Sequence, residues 1–214
     1  LVLLLLDAFS RTKLLGAAYQ KKLPPETSAA VPVAVAGSRG YLMPLTVLAL
    51  LAILAVVAYM PGQLGEAQGA TLYRDMLVLD RFGLLMTGIC IVGAALSVMT
   101  APAFLRAHNM EYGEYYALVL FSLCGMVILI MSADLVTVFL GVETMSLGVY
   151  VLTGSWRQNP RSSEAAMKYF LVGAFISGLM VYGIALIYGT CGTTVLAEIH
   201  NRAQSMSGRP LFYL

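Results

Sequence analysis

Long uncharged hydrophobic runs alternate with short polar segments along this chain of 214 residues. Most runs reach the ~18 to 20 apolar residues that a helix needs to cross the hydrocarbon of a bilayer. The pattern predicts an all-α fold, a polytopic transmembrane helical bundle with about six helices present. The predicted spans lie near residues 1–9, 41–60, 82–105, 115–133, 135–155 and 164–190.

The composition agrees with a membrane protein. Hydrophobic residues make up 59% of the chain and charged residues only 11%, against about 25% charged in an ordinary soluble domain. We therefore predict one membrane domain over residues 1–214, with the lipid bilayer as a partner and no nucleic acid. The chain opens on LVLLLLDAF and ends on RPLFYL, two apolar runs too short to span a membrane, which predicts a fragment of a longer polytopic protein.

The loops give the predicted orientation. The positive-inside rule places the side with more Lys and Arg in the cytoplasm. The predicted multi-pass topology gives one side Arg11, Lys13, Lys21, Lys22, Arg39, Arg106, Arg157 and Arg161, and the other side Arg74, Arg81, Arg202 and Arg209. The first side is therefore predicted to be cytoplasmic, and we expect a bacterial cytoplasmic (inner) membrane. On the other side, the Gly-rich segment MPGQLGEAQGATLYRDM is predicted to be a loop.

One carboxyl group, Glu143, interrupts the predicted span 135–155 in the stretch FLGVETMSLGVY. It lies roughly 13 Å along the helix from the start of the span, close to the bilayer midplane. An acid at this depth costs on the order of 2.5 to 3.5 kcal/mol on insertion scales and is by default a functional site. Ser146 and Tyr150 share its helical face, so the three side chains form a possible proton path. The alternative is a hydrogen-bonded structural carboxyl.

The next ionisable group in the bilayer region is Lys168. With Ser162 or Ser163 as the predicted N-cap, Lys168 lies one turn inside its helix. It is then displaced about 9 Å along the axis from Glu143 in an antiparallel hairpin. A direct salt bridge, a connection through water, snorkelling to the interface and an i, i+4 pair with Glu164 all remain open.

Three further features predict structure rather than chemistry. Asp134 is predicted to be an N-cap. The small residues Gly141 and Gly148, and the pair Ala174 and Gly178, predict close helix packing. The three cysteines form no CxxC pair, which argues against an iron–sulfur site in this chain.

The segments FLGVETMSLGVYVL and SSEAAMKYFLVGAFISGLMVYGIALIYG closely resemble the antiporter-like membrane subunits of respiratory complex I, the proton-pumping NADH:quinone oxidoreductase, and within them subunit N. The resemblance is strongest over residues 133–189. It implies an N-terminal portion of an antiporter-like subunit that lacks the family's later helices.

The resemblance also implies roles. The glutamate of the family's fifth helix falls on Glu143 and the lysine of the following helix on Lys168, a buried pair in which the nearby carboxylate favours the protonated lysine. It implies proton translocation coupled to NADH oxidation and quinone reduction, a non-redox role within a translocase. Other membrane-arm subunits, including paralogous antiporter-like ones, are the implied partners, and FMN, iron–sulfur clusters and quinone are expected in other subunits.

Two other functions remain open from the sequence. A subunit of a multisubunit sodium/proton antiporter would share the same glutamate and lysine without a redox partner. A structural membrane scaffold would keep Glu143 as a fixed polar contact and would tolerate Glu143→Gln.

Overall fold

The chain folds into a bundle of helices with one small β-hairpin. The computed structural model describes residues 41–62, 70–107, 113–156 and 159–206, so the predicted span at residues 1–9 lies outside the described residues. The elements are α1 (Leu42–Tyr59), a 3-10 turn (Met60–Gly62), β1 (Ala70–Leu72), β2 (Leu77–Leu79), α2 (Arg81–Ala107), α3 (Gly113–Met131), α4 (Leu135–Thr153), α5 (Pro160–Cys191) and α6 (Leu196–Met206).

Helices α1 to α5 are each long and apolar enough to cross a membrane. Because a bilayer offers the backbone no hydrogen-bonding partner, a spanning segment satisfies its N–H and C=O groups within its own helix. The prediction of an all-α polytopic bundle is therefore confirmed. Consecutive helices pack as neighbours from α1 through α5.

The first three helices share an apolar core. Leucine side chains of α1 and isoleucine and valine side chains of α2 form one buried cluster with Tyr116 and Leu123 of α3. The buried members are Leu42, Leu50, Ile91, Val98, Tyr116 and Leu123.

Helices α3 and α4 approach closely through glycines. A Cβ atom added to Gly141 would lie 2.8 Å from the backbone nitrogen of Leu129, and one added to Gly125 would overlap the backbone of Met145. Gly148 faces the Ser122 side chain in the same way. The predicted packing role of Gly141 and Gly148 is confirmed.

Gly178 behaves differently from these glycines. An added Cβ there would meet no heavy atom of the described residues within 4 Å. The prediction of close packing at Gly178 is therefore wrong for the part of the chain that the structure describes, because no helix of that part reaches this face of α5.

Backbone hydrogen bonds join three connections at one end of the bundle, which we call the hairpin end. The α3–α4 turn, residues 132–134, lies between the β-hairpin and the α5–α6 connection: the amide of Ala133 donates to Met76 at 2.9 Å, and that of Leu135 donates to Thr194 at 2.9 Å. The segment predicted as a plain loop thus contains β1, and β2 follows directly after it; the two strands pair antiparallel. Strands of three residues are too short to give an alternating hydrophobic pattern.

Asp134 fixes where α4 begins. Its buried carboxylate accepts hydrogen bonds from the amides of Val136 at 2.8 Å and Thr137 at 3.3 Å. These amides belong to the first turn, where a helix leaves its N–H groups without intrahelical partners. The predicted N-cap is confirmed.

The start of α5 differs from the prediction. Asn159, not Ser162 or Ser163, caps the helix by accepting from the amide of Arg161 at 3.0 Å, and Pro160 takes the first helical position. Proline suits this position because its missing N–H would have no partner there. Ser162 instead donates to the carbonyl of Thr153 at 2.6 Å and ties the start of α5 to the end of α4.

Candidate functional site

Glu143 lies at the centre of α4, the ninth of its 19 residues. Its side chain is half-buried. Successive residues turn by about 100° around a helix, so Glu143 points away from the face on which Gly141 and Gly148 contact α3. Helix α4 is consequently packed against α3 on one face and presents Glu143 to α5 on the other.

The hydroxyl of Ser177 on α5 donates a hydrogen bond to Oε1 of Glu143. This contact joins residues 34 positions apart in the chain. The acid at the middle of α4 is thus partnered by a neutral side chain of the neighbouring helix. A hydrogen-bonded partner is what a polar group requires in an apolar environment.

Tyr150 occupies the same face of α4, two turns beyond Glu143. Its ring packs edge-to-face on Tyr169, with centroids 4.8 Å apart, and on Phe170, with centroids 6.0 Å apart. Its hydroxyl end lies against Gly173, where a Cβ atom would overlap it. Ser146 is half-buried and lies between Glu143 and Tyr150 on α4, within about 60° of the same direction. The structure therefore places the three predicted site residues of α4 towards one side of that helix.

The register between α4 and α5 follows from three contacts. Glu143 meets Ser177, Tyr150 meets Phe170, and a Cβ atom on Gly154 would lie 3.0 Å from the Cβ of Ala166. Each step along α4 is matched by an equal step back along α5, as in an antiparallel hairpin. Lys168 therefore comes level with Leu152, about 13 Å along the axis from Glu143.

Lys168 also points away from Glu143. It is nine residues before Ser177, which corresponds to a rotation of about 180° around α5. Its ammonium group pairs with the Glu164 carboxylate at 2.5 Å, and the Lys168 side chain is 73% exposed. Of the alternatives that the sequence left open for Lys168, the i, i+4 pair with Glu164 is the one present.

A direct Glu143–Lys168 pair is therefore absent from the described structure. The axial separation exceeds the predicted 9 Å because α5 begins at Pro160 and extends past the end of α4, so that Ala166, not the helix start, is level with Gly154. The prediction placed the end of α4 level with the start of α5.

Ser177 is the site residue that the sequence analysis missed. It is the only serine or threonine between Ser163 and Thr190, so a hydroxyl in the middle of an apolar span was a visible signal. Its hydrogen bond to Glu143 depends on how far α5 extends past the end of α4 and on which face of α5 is turned towards α4. Both are properties of the tertiary structure.

Residues 132–214 match the family model described as "NADH:quinone oxidoreductase/Mrp antiporter, TM". This range includes α4, α5 and α6 and therefore Glu143, Lys168 and Ser177. Two relatives carry the name NADH-quinone oxidoreductase subunit N. One, from Herpetosiphon aurantiacus, is 50% identical over 135 residues, which is 62% of this chain and 28% of the relative. The other, from Trichlorobacter lovleyi, is 36% identical over 171 residues, which is 80% of this chain and 34% of the relative.

Solved structures with a similar fold are parts of respiratory membrane complexes. A chain of respiratory complex I from Thermus thermophilus with bound aureothin is 25% identical with a TM-score of 0.61, and the match covers 100% of this chain and 45% of that chain. A chain of an archaeal membrane-bound sulfane sulfur reductase shares the fold at a TM-score of 0.62 over 92% of this chain. The present chain thus spans about a quarter to a third of the curated relatives that it matches.

Proposed function

We propose that this chain is part of a subunit N of NADH:quinone oxidoreductase that contributes to proton translocation coupled to NADH oxidation and quinone reduction. The family match over residues 132–214 and the likeness to relatives named subunit N support this proposal. The observation that carries this proposal is the carboxyl of Glu143, halfway along a span with no other charged residue. An ionisable side chain at that depth is costly to keep, about 2.5 to 3.5 kcal/mol on insertion scales, and such residues mark proton pathways.

Glu143 acts in this proposal as the proton-carrying group of α4. Tyr150 and Ser146 extend from it along α4 away from the hairpin end, and their hydroxyls can donate and accept hydrogen bonds in a water-assisted proton path. The Glu143 carboxyl takes up a proton from one side and releases it towards the other. The cytoplasm is proposed to lie on the side that Tyr150 approaches, following the distribution of Lys and Arg.

Lys168 acts as a second proton-carrying group on the far face of α5, not as the direct partner of Glu143. A proton that moves between the two groups must pass around α5, through water or through side chains of other helices. The Lys168 ammonium pairs with the Glu164 carboxylate at 2.5 Å, one turn away on the same face of α5.

The redox chemistry belongs to other parts of the complex in this proposal. FMN, iron–sulfur clusters and quinone are proposed to bind to other subunits. For the clusters, this agrees with the three cysteines of the chain lying singly on α2, α3 and α5. The partners are further membrane-arm subunits, including paralogous antiporter-like ones, in a bacterial inner membrane.

The test is proton pumping by the complete complex in sealed vesicles driven by NADH. Glu143→Gln removes the proton-carrying carboxyl but keeps the side-chain shape, and Lys168→Ala removes the second group. We expect a loss of pumping of about a hundredfold for Glu143→Gln, within the range that positioned acid–base groups supply. Glu198→Gln is the matched control, because Glu198 is an exposed acid on α6.

Pumping must be compared between vesicles with equal content of the complex and equal passive proton permeability. Normal pumping by assembled Glu143→Gln complex would contradict the proposal and leave a scaffold with a fixed polar contact. Proton uptake that depends on sodium and not on NADH would instead identify the multisubunit antiporter as the parent assembly.

A further inference from the structure

We propose that Ser177 is a positioning residue that holds the Glu143 carboxyl at the α4–α5 interface in both of its protonation states. This inference rests on the proposed function of Glu143 as a proton-carrying group. It is based on the hydrogen bond from the Ser177 hydroxyl to Oε1 of Glu143.

The hydroxyls of the bundle that donate hydrogen bonds mostly do so to backbone carbonyls, unlike Ser177. Serine and threonine inside helices commonly donate to the carbonyl of the preceding turn. Thr100 does so to Leu96 at 3.0 Å and Thr153 to Val149 at 2.8 Å. Ser122 and Ser162 donate to backbone carbonyls of α4, at 3.2 and 2.6 Å, whereas Ser177 donates to a side chain of α4. The orientation of its hydroxyl is therefore set by the carboxylate and not by its own backbone.

The residue one turn earlier on α5 makes room for this arrangement. Gly173 has no side chain, and the hydroxyl end of Tyr150 lies where a Cβ atom would be. Gly173 and Ser177 thus lie one turn apart on the same face of α5. Gly173 contacts Tyr150 of α4, and Ser177 contacts Glu143 of α4.

Among the described residues of α3, α4 and α5, no other charged side chain lies level with Glu143, so its hydrogen-bond partner there is neutral. Among the described residues of α3, α4 and α5, the other charged side chains are Glu114, at the start of α3, and Arg161, Glu164 and Lys168, within the first nine residues of α5. None of them is level with Glu143 in the hairpin register. A cation would stabilise only the ionised carboxyl, whereas the Ser177 hydroxyl favours neither state exclusively.

The chemistry of a hydroxyl suits a carboxyl that gains and loses a proton. An ionised carboxylate only accepts hydrogen bonds, whereas a protonated carboxyl also donates one. The Ser177 hydroxyl donates to the first and, after rotating, accepts from the second. Glu143 therefore keeps one fixed contact through the cycle, and neither state leaves it without a partner in an apolar span.

The experiment is acid–base difference infrared spectroscopy of the complete complex in lipid, with pumping measured on the same preparations. Loss of signal in Glu143→Gln identifies the Glu143 bands. In Ser177→Ala we expect the band of the protonated Glu143 carboxyl to move to higher wavenumber, as for a carboxyl group whose O–H loses its hydrogen-bond acceptor. We also expect pumping to fall about tenfold, the effect of losing a hydrogen bond to a charged group.

Three companion variants separate positioning from folding. Ser177→Thr keeps the hydroxyl and is expected to restore both the band and the pumping. Ser177→Cys keeps the volume with a weak donor and serves if Ser177→Ala fails to assemble. Ser163→Ala makes the same substitution at an exposed position of α5 and is expected to change neither property.

Failure of this inference is distinguishable from failure of the proposed function. A Glu143 band and a pumping rate that stay unchanged in Ser177→Ala would overturn the inference while Glu143→Gln still abolishes pumping. Normal pumping in Glu143→Gln would overturn the proposed function, although the band shift in Ser177→Ala would still demonstrate the contact.

Discussion

The two faces of α4 are built from different residues and hold their neighbours in different ways. On the α3 side, Gly141 and Gly148 allow the backbones to approach so closely that added Cβ atoms would overlap the other helix. On the α5 side, Glu143 and Tyr150 reach across to Ser177 and to aromatic rings. The face towards α3 is held by close backbone packing, and the face towards α5 is held by side-chain contacts.

This difference indicates how a membrane helix can carry a charge and still be held firmly. Without a hydrophobic driving force between helices in lipid, small residues at an interface give van der Waals contact between backbones. The glycine face supplies that contact and can fix α4 against α3. The opposite face is then free to hold a carboxyl whose partner is a rotatable hydroxyl.

The largest expected effect comes from filling the close contact between α3 and α4, to which Gly125 of α3 also contributes. Gly125→Ala would place a Cβ atom inside the backbone of Met145, which has no rotamer with which to yield. We expect a loss of about 1 to 3 kcal/mol in the free energy of unfolding, as for other overpacked sites. The measurement is unfolding in mixed detergent micelles, followed by helix content.

Gly178→Ala is the matched control for this substitution. An added Cβ there meets open space within the described residues, and alanine favours a helix over glycine by about 1 kcal/mol. Equal stability of the Gly125→Ala and Gly178→Ala proteins would show that the two faces of the α3–α4–α5 unit do not differ as described.

A smaller effect is expected at the turn that precedes α4. Asp134→Ala removes the acceptor for the amides of Val136 and Thr137 and should cost about 0.5 to 2 kcal/mol, the range for lost N-caps. Hydrogen exchange at those two amides should accelerate. Asp134→Asn retains a capping oxygen and should exchange nearly as slowly as the native chain; equally fast exchange in both variants would contradict the capping role.

The smallest expected effect lies on the outer face of α5. Lys168 and Glu164 are both exposed, with side chains 73% and 62% accessible. A double-mutant cycle on these two residues should give a coupling energy of only about 0.3 to 0.5 kcal/mol in the free energy of unfolding. A coupling several times larger would mean that other parts of the complex bury this pair.

The sequence predicted the features that depend on local pattern. Apolar length predicted the five spans, the position of Glu143 within its span predicted its central depth, and the aspartate before Leu135 predicted the N-cap. The face shared by Glu143, Ser146 and Tyr150 followed from helical geometry alone.

The errors concern how elements are placed relative to one another. The helical rotation between Lys168 and Ser177 is a local property and was available from the sequence. The Asn159 cap and the packing of the helices set two further properties. These are the face of α5 that meets α4 and the distance by which α5 extends past the end of α4. Helix α6 was not predicted either, because its 11 residues are too few and too polar to give the pattern of a membrane span.

The most direct test of the central claim compares two partners for one carboxyl. The infrared bands of Glu143 are recorded in complete complexes that carry either Ser177→Ala or Lys168→Met. We expect the bands to move in Ser177→Ala and to stay in place in Lys168→Met, because Lys168 lies on the opposite face of α5 about 13 Å along the axis. Bands that move in Lys168→Met and stay in place in Ser177→Ala would show that the lysine, and not the serine, is the partner of Glu143.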